Sequence, residues 1–161
     1  MRFSWIAALL LTATATATAA APVYVRVSGA TTAQFIVDSS PIPDATTADY
    51  FALYDRSGTI AGTAAIAELY FYVAGIGGGL DINTPDILIA LGGPVLFSGT
   101  NEAPTLLTGK YQLTEYPFGK NNYTVQIAAV PEPASRALLI TGFAASGLAM
   151  RSTRRARSVA Q

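Results

Sequence analysis

Tyr123-Thr-Val-Gln-Ile-Ala128 decides the fold class, because apolar and polar side chains alternate along it with a period of two. Its odd-numbered residues are Tyr, Val and Ile, and two of its even-numbered residues are Thr and Gln. Such alternation predicts a β-strand with one face in the core and the other in water. A second strand, Tyr111-Gln-Leu-Thr-Glu-Tyr116, precedes it, and Pro117-Phe-Gly-Lys-Asn-Asn122 predicts the hairpin turn between them.

Short apolar segments continue this pattern towards the N-terminus, and clusters of Gly, Pro, Asp, Asn and Ser separate them. The predicted strands lie at Val23 to Val27, Ala33 to Val37, Tyr50 to Tyr54, Ala64 to Val73, Ile87 to Leu91 and Val95 to Phe97. We expect the strand from Ala64 to Val73 to be central and buried on both faces, while the alanine-rich run from Ala61 to Ala67 is also compatible with a helix. Asp55-Arg-Ser-Gly58 predicts a turn after the third segment.

About eight short strands without an amphipathic helix predict an all-β domain over residues 22–129, as a small antiparallel β-sandwich or a barrel-like sheet. The segment from Pro22 to Val130 holds nine acidic and four basic residues, so its net charge is −5. This charge repels phosphate backbones, and we predict that the protein has no nucleic-acid partner.

The chain contains no Cys and no His. Disulfides, thiolate metal sites and a Cys nucleophile are therefore excluded. The residue that most often serves as general base and as transition-metal ligand is also missing. We expect a non-catalytic protein that needs no cofactor.

Residues 1–20 have the three-part layout of a secretory signal peptide, with Arg2 first, an apolar stretch from Phe3 to Leu11, and a run of Ala and Thr after it. The apolar stretch would make a helix only about 14 Å long, which is too short for a hydrocarbon core of ~30 Å. Cleavage needs small residues at positions −3 and −1, which Ala17 and Ala19 supply, and Ala20 is equally acceptable at −1. We expect a signal helix that engages the secretion machinery and signal peptidase.

Residues 130–157 combine three parts: Val130-Pro-Glu-Pro133, a charge-free segment over 137–150, and a basic end. Pro131 and Pro133, with Glu132 between them, favour a stiff extended segment that ends the β domain. The charge-free segment predicts a hydrophobic helix about 21 Å long, short for a bilayer, with its positive end on the cytoplasmic side of the inner membrane. Its membrane-seeking residues are Ala137, Leu138, Leu139, Ile140, Phe143, Leu148 and Met150, and the basic stop consists of Arg151, Arg154, Arg155 and Arg157.

This order of parts closely resembles the PEP-CTERM sorting signal of Gram-negative bacteria that make extracellular polysaccharide. One departure is Arg136, because many family members have an aromatic residue there, often Trp, as in the PEPxxWA form of the tail. The resemblance implies recognition by an exosortase, cleavage near Pro131-Glu132-Pro133, and passage from an inner-membrane intermediate to the cell surface or extracellular matrix. It also implies association with exopolysaccharide or a biofilm, so extracellular polysaccharide is an expected partner.

Oxygen-bearing side chains in the middle of the domain allow two further interpretations. Asp81, Asn83 and Asp86 could supply ligands to Ca²⁺, but Asx hydrogen bonds in a turn explain the same residues, and we favour the turn. Glu68 could pair with Asp81 or Asp86 as the two carboxylates of a glycosidase. We favour Glu68 as a strand residue on the wetter face, which leaves a carbohydrate-active enzyme as the alternative function.

A set of seven tyrosines could fill the core or stack on sugar rings from an exposed sheet face. These are Tyr50, Tyr54, Tyr70, Tyr72, Tyr111, Tyr116 and Tyr123. We expect core filling, with the hydroxyl groups at the rim of the core. A flat row of exposed tyrosines would instead indicate a carbohydrate-binding module.

Overall fold

The computed structural model describes residues 20–117, 119 and 121–131, so the predicted signal and tail helices lie outside it. Its strands are β1 (Pro22–Ser28), β2 (Ala33–Asp38), β3 (Ala45–Thr46), β4 (Tyr50–Ile60), β5 (Thr63–Tyr72), β6 (Gly79–Asn83), β7 (Leu88–Gly92), β8 (Phe97–Gly99), β9 (Pro104–Leu106), β10 (Gly109–Glu115) and β11 (Asn122–Ala129). A 3₁₀ turn at Ala74–Ile76 follows β5. Within these described ranges, no helix has the length and apolar character needed to cross a bilayer.

Eight of the described strands close into an antiparallel barrel. The order around the barrel is β1, β11, β10, β7, β6, β5, β4 and β2, and β2 pairs with both β1 and β4. The short β3 pairs with the first part of β4, and β8 with β9 forms a separate hairpin. The all-β prediction is therefore confirmed, and of the two predicted architectures the barrel is the one that forms.

The barrel interior is filled by the alternating residues that the sequence pattern indicates. The Tyr, Val and Ile residues of β11 are buried, as is every second residue of β1 from Val23 onwards. Three aromatic rings meet in the core: Phe51 stacks on Phe71 with ring centroids 4.8 Å apart, and Phe97 contacts Phe51 edge-on, also at 4.8 Å. Each buried phenylalanine contributes about 1.5–3 kcal/mol. Because Phe97 belongs to β8, this contact anchors the separate hairpin to the core.

The predicted turn at Asp55-Arg-Ser-Gly58 is wrong, because β4 continues through it to Ile60. The strand accommodates these residues with a bulge: the pairing with β5 shifts register between Leu53 and Arg56, and Asp55 has a positive φ of 54°. Residues typical of turns also tolerate the left-handed conformation that a bulge requires. The bulge lets one long strand pair with β3 and then with β2, which closes the barrel.

Two further predictions about the middle of the domain need correction. The strand from Ala64 to Val73 is indeed a strand, not a helix, but only its inward residues are buried, and alternate residues are partly exposed. The proposed Asx turn begins too early, because residues 81–83 belong to β6 and the turn lies at Thr84–Ile87. The sequence pattern did not predict short strands such as β6, because their residues are also common in turns.

Gly58 is the position where barrel closure is most sensitive to added volume. It pairs with Phe35 across the β2–β4 seam, and a Cβ there would overlap the carbonyl oxygen of Gln34 and the Phe35 ring. We expect Gly58→Ala to lower the free energy of unfolding by roughly 1–3 kcal/mol, measured by urea unfolding followed by circular dichroism. Gly75→Ala is the matched control, because its Cβ would meet nothing closer than 4.0 Å. Equal stability of the two variants would contradict closure through this seam.

Candidate functional site

Four partly exposed tyrosines form a continuous row on the outer face of β4 and β5. In spatial order they are Tyr54, Tyr70, Tyr50 and Tyr72, and we call them the tyrosine row. Neighbouring ring centroids are 6.2, 5.3 and 5.8 Å apart in that order, and neighbouring rings are inclined by 59–73°. These are the tilted and edge-to-face contacts that aromatic rings prefer. The row is therefore a contiguous aromatic surface with successive rings turned relative to each other, rather than a flat platform.

Strand register explains why the tyrosines lie together outside the barrel. Tyr50 is paired with Tyr72, and Tyr70 is paired with Ala52. Ala52 points outwards between Tyr50 and Tyr54, yet it is fully buried and does not belong to the core cluster. Its small side chain leaves room for the tyrosine rings to cover it.

Core filling is therefore the wrong prediction for the four tyrosines of the row. Phe51, Leu53, Leu69 and Phe71 occupy the inward positions of β4 and β5, so the intervening tyrosines face outwards. Tyr123 is the clear case of core filling, at 5 % exposure. The two other tyrosines of the original set differ again: Tyr111 packs partly against the core, and Tyr116 is 67 % exposed.

Two carboxylates, Glu68 on β5 and Asp81 on β6, hold two rings of the row by their hydroxyl groups. Tyr70 donates to Glu68 Oε2 at 2.7 Å, and Tyr72 donates to Asp81 Oδ2 at 2.9 Å. Asn83 Nδ2 donates to the same Glu68 oxygen at 3.2 Å. Because hydrogen bonds to charged acceptors are stronger than neutral ones, these contacts fix the orientations of the Tyr70 and Tyr72 rings.

The electrostatics of this network keep both tyrosines protonated. The pKa of Tyr70 is raised, chiefly because its hydroxyl donates to Glu68, and burial adds to the effect. Burial is the main cause of the raised pKa of Tyr72, and the hydrogen bond to Asp81 adds to it. Burial also raises the pKa of Asp81, against the lowering effect of hydrogen bonds from Tyr72 and from the backbone N–H of Leu91. Both hydroxyls therefore act as donors across the physiological pH range.

A cleft of about 570 Å³ opens beside the Tyr72 end of the row. It lies where β7 and β10 pair at two positions, Gly92 with Thr114 and Leu91 with Glu115. We call it the Tyr72 cleft, and its lining residues are Tyr72, Ile76, Gly77, Gly78, Asp81, Leu91, Gly92, Gly93, Thr114, Glu115, Tyr116, Pro117 and Gly119. Sequence reasoning missed both the cleft and Glu115. The available signal was the pair of glycine-rich segments that follow β5 and β7, because glycines leave space beside a strand end.

The three acids that the sequence suggested for catalysis do not converge on one cleft. Asp81 lines the Tyr72 cleft, whereas Glu68 and Asp86 line two separate depressions. Glu68 pairs in register with Asn83, so Asp81 lies one step further along β6 on the same outer face. Two carboxylates facing a single cleft, as a glycosidase requires, are not found for these three residues.

In the part of the chain that the structure describes, the three proposed calcium ligands do not converge either. Asp81 accepts a hydrogen bond from Tyr72, and Asn83 donates one to Glu68. Asp86 lies beyond them in the exposed turn. No group of three or more acidic side chains gathers there as a metal site.

The ends of the described chain meet at one edge of the barrel. The backbone N–H of Val130 donates to the carbonyl oxygen of Pro22 at 3.0 Å, and Ala20 and Pro131 are exposed beyond them. The remaining predicted sorting residues lie outside the described residues. These are Ala17 and Ala19 of the signal, Glu132 and Pro133 of the motif, the helix residues Ala137, Leu138, Leu139, Ile140, Phe143, Leu148 and Met150, and the basic stop Arg151, Arg154, Arg155 and Arg157.

Asp81 makes a pH-dependent contribution to the free energy of unfolding. Its raised pKa means that folding disfavours the charged carboxylate, so this penalty is present above the folded pKa and absent below the unfolded value near 3.8. We expect Asp81→Asn to be more favourable for stability at pH 7 than at pH 3, measured by urea unfolding at both pH values.

Asp44 provides a control of opposite sign. A hydrogen bond from the Tyr54 backbone N–H, helped by Arg56 and opposed by desolvation, lowers the Asp44 pKa. Its stabilising contribution is present above the unfolded pKa and lost as the pH falls through the folded pKa. Asp44→Asn should therefore destabilise at pH 7 and have little effect at the lowest pH. The same pH trend in both variants would contradict this account of Asp81.

No known protein supplies an assignment for this site, because no family model, curated protein or solved structure matches the chain. Its chemistry is therefore inferred from its own residues. These are a row of oriented tyrosines, the carboxylates that hold them, and an adjoining acidic cleft.

Proposed function

We propose that this chain is a non-catalytic exported protein of the cell surface or extracellular matrix, and that its barrel binds extracellular polysaccharide through the tyrosine row. The observation that carries the binding proposal is the contiguous set of partly exposed rings, of which Tyr70 and Tyr72 are held by hydrogen bonds to carboxylates. Because successive rings are inclined by 59–73°, the row is not a flat platform, and sugar units of a polymer would pack on individual ring faces and edges. Sugar hydroxyls also need donors and acceptors close by. Glu68, Asn83 and Asp81 flank the row and provide those groups.

The proposed ligand also suits the energetics of the row. Rings that are already oriented lose little conformational freedom on binding, so more of the contact energy appears as affinity. Because the row crosses two strands of a closed barrel, the backbone beneath it is held on both sides by ladder hydrogen bonds. A rigid, extended aromatic surface of this kind fits a polymer better than a single small molecule.

The sorting part of the proposal rests on the sequence of the tail and is compatible with the geometry of the barrel. The last strand ends at Ala129, and Pro131 of the motif follows the Val130–Pro22 hydrogen bond directly. Cleavage near Pro131-Glu132-Pro133 would therefore leave every strand of the barrel intact. Signal peptidase and exosortase would act at chain ends that leave the barrel at the same edge.

Removal of row tyrosines tests the binding proposal. We expect the double variant Tyr50→Ala/Tyr70→Ala to weaken binding to the host's exopolysaccharide at least tenfold, since stacking on aromatic rings contributes most of the contact. Affinity electrophoresis of the full-length chain measures the change, and the same samples are assayed for released reducing sugar, which we expect to be absent.

Tyr24→Ala is the matched control for this experiment. Tyr24 is also a partly exposed tyrosine on the outer face, but it lies on β1 and contacts Arg26, at 5.5 Å from ring centroid to guanidinium. We expect this variant to bind like the wild type. Equal losses in the two variants would refute the row as the binding surface, and measurable hydrolysis would replace the non-catalytic proposal with a carbohydrate-active enzyme.

The intact mass of the protein recovered from its native host tests the sorting proposal. We expect loss of residues 1–19 or 1–20 and of the residues beyond the Pro131–Pro133 motif. Glu132→Ala should leave the tail attached and the protein in the membrane fraction, whereas Glu102→Ala, at an exposed acid in the β8–β9 hairpin turn, should be processed normally. A secreted wild-type protein that retains the complete tail would contradict exosortase processing.

A further inference from the structure

We propose that the Tyr72 cleft binds one sugar unit that carries a free amino group, within the polysaccharide that lies along the tyrosine row. This inference rests on the proposed function and narrows it to a polysaccharide containing amino sugars. The observations are the continuity of cleft and row, the shape of the cleft, and the charge of its walls.

Continuity comes from Tyr72, which is the last ring of the row and also lines the cleft. Its hydroxyl donates a hydrogen bond to Oδ2 of Asp81, a second cleft residue, at 2.9 Å. A polymer that contacts Tyr50 and Tyr72 can therefore reach the cleft, because Tyr72 belongs to both surfaces. One unit of the polymer can then enter the cleft while its neighbours remain on the row.

The shape of the cleft follows from the absence of side chains at its lining glycines. Gly92 lies on the outer face, and a Cβ at this position would meet Tyr116 at 3.8 Å and the carbonyl oxygen of Thr114 at 4.0 Å, which are ordinary contacts. Gly77 has a positive φ of 105°, a conformation that favours glycine, and a Cβ at this position would meet nothing within 4 Å, so this end of the cleft is open. Tyr72 on one wall and the exposed Tyr116 on the other provide flat apolar surface for a ring.

The charge of the walls selects the substituent on the sugar. Asp81 and Glu115 both line the cleft, and the other described lining residues include no Asp, Glu, Lys or Arg. The Tyr72 hydroxyl donates to Asp81 Oδ2, and the Asn121 side chain donates to Glu115 Oε2 at 2.8 Å. Each carboxylate accepts up to about four hydrogen bonds, so both retain sites for an ammonium group. A uronate or sulfate would be repelled by the same two charges.

The test compares oligosaccharides that share a backbone and differ at the amine. We would measure binding of the full-length chain, in a detergent without sugar headgroups, to β-1,4-linked glucosamine oligomers, their N-acetylated counterparts, cello-oligosaccharides and oligouronates. We expect the glucosamine oligomers to bind at least tenfold more tightly than the N-acetylated and unsubstituted oligomers, and the oligouronates to bind most weakly.

Variants locate the preference within the molecule. Asp81→Asn/Glu115→Gln should reduce the preference for the free amine to about twofold or less, because it removes both charges while the amide oxygens can still accept hydrogen bonds. Asp86→Asn/Glu102→Gln removes the same charge from acids outside the cleft and should keep the preference. Gly92→Leu, whose side chain would occupy space in the cleft, should also abolish the preference.

The outcomes separate this inference from the proposed function. Equal binding of all four oligosaccharides, or tightest binding of the oligouronates, would overturn the amino-sugar inference and leave the tyrosine row as a polysaccharide surface. A preference that survives Asp81→Asn/Glu115→Gln, or that Asp86→Asn/Glu102→Gln abolishes equally, would overturn its assignment to the cleft. Failure of the wild type to bind any oligosaccharide or the host polysaccharide would contradict the proposed function as well.

Discussion

Packing of the phenylalanine rings of β4, β5 and β8 inside the barrel is the contact on which the outer surface depends. Phe51 and Phe71 stack in the interior, and Phe97 closes over Phe51 from the hairpin. Side chains alternate between the faces of a strand, so inward placement of these rings places the residues beside them outside. Shifting either strand by one residue would bury the tyrosines and expose the phenylalanines. Burial of the phenylalanines by the hydrophobic effect thus determines that the tyrosine row lies on the outer face of β4 and β5.

The row in turn organises the polar groups around it. Glu68 and Asp81 accept hydrogen bonds from the tyrosine hydroxyls, so acids that would otherwise move freely on an outer barrel face have defined positions. Asp81 lies on the boundary between the row and the Tyr72 cleft. In the proposed function this arrangement supplies stacking, hydrogen bonding and charge over one continuous surface. The glycosidase pairs that the sequence suggested, Glu68 with Asp81 or with Asp86, lie in different depressions.

The sequence predicted the fold class well and the site poorly, for physical reasons that particular residues illustrate. Alternation in β1 and β11 indicated an antiparallel sheet, and both strands lie as expected. Closure could not be predicted, because it depends on Gly58 meeting Phe35 across a seam between strands distant in sequence. Tyrosine is compatible with both a core and a surface. Whether Tyr50 and Tyr70 point inwards or outwards therefore depends on which face of the strand the neighbouring phenylalanines occupy. The Tyr72 cleft joins residues from β5, β6, β7 and β10, and only the folded register brings them together.

A tyrosine-resolved NMR titration tests the central claim most directly, namely that the outward-facing row is the surface that binds polysaccharide. With the full-length chain labelled at its tyrosine rings, fragments of the host's exopolysaccharide should shift the ring resonances of Tyr50, Tyr54, Tyr70 and Tyr72. The resonances of Tyr24 on β1 and of the buried Tyr123 should stay in place. Unchanged row resonances at saturating ligand, or shifts confined to Tyr24, would contradict the account.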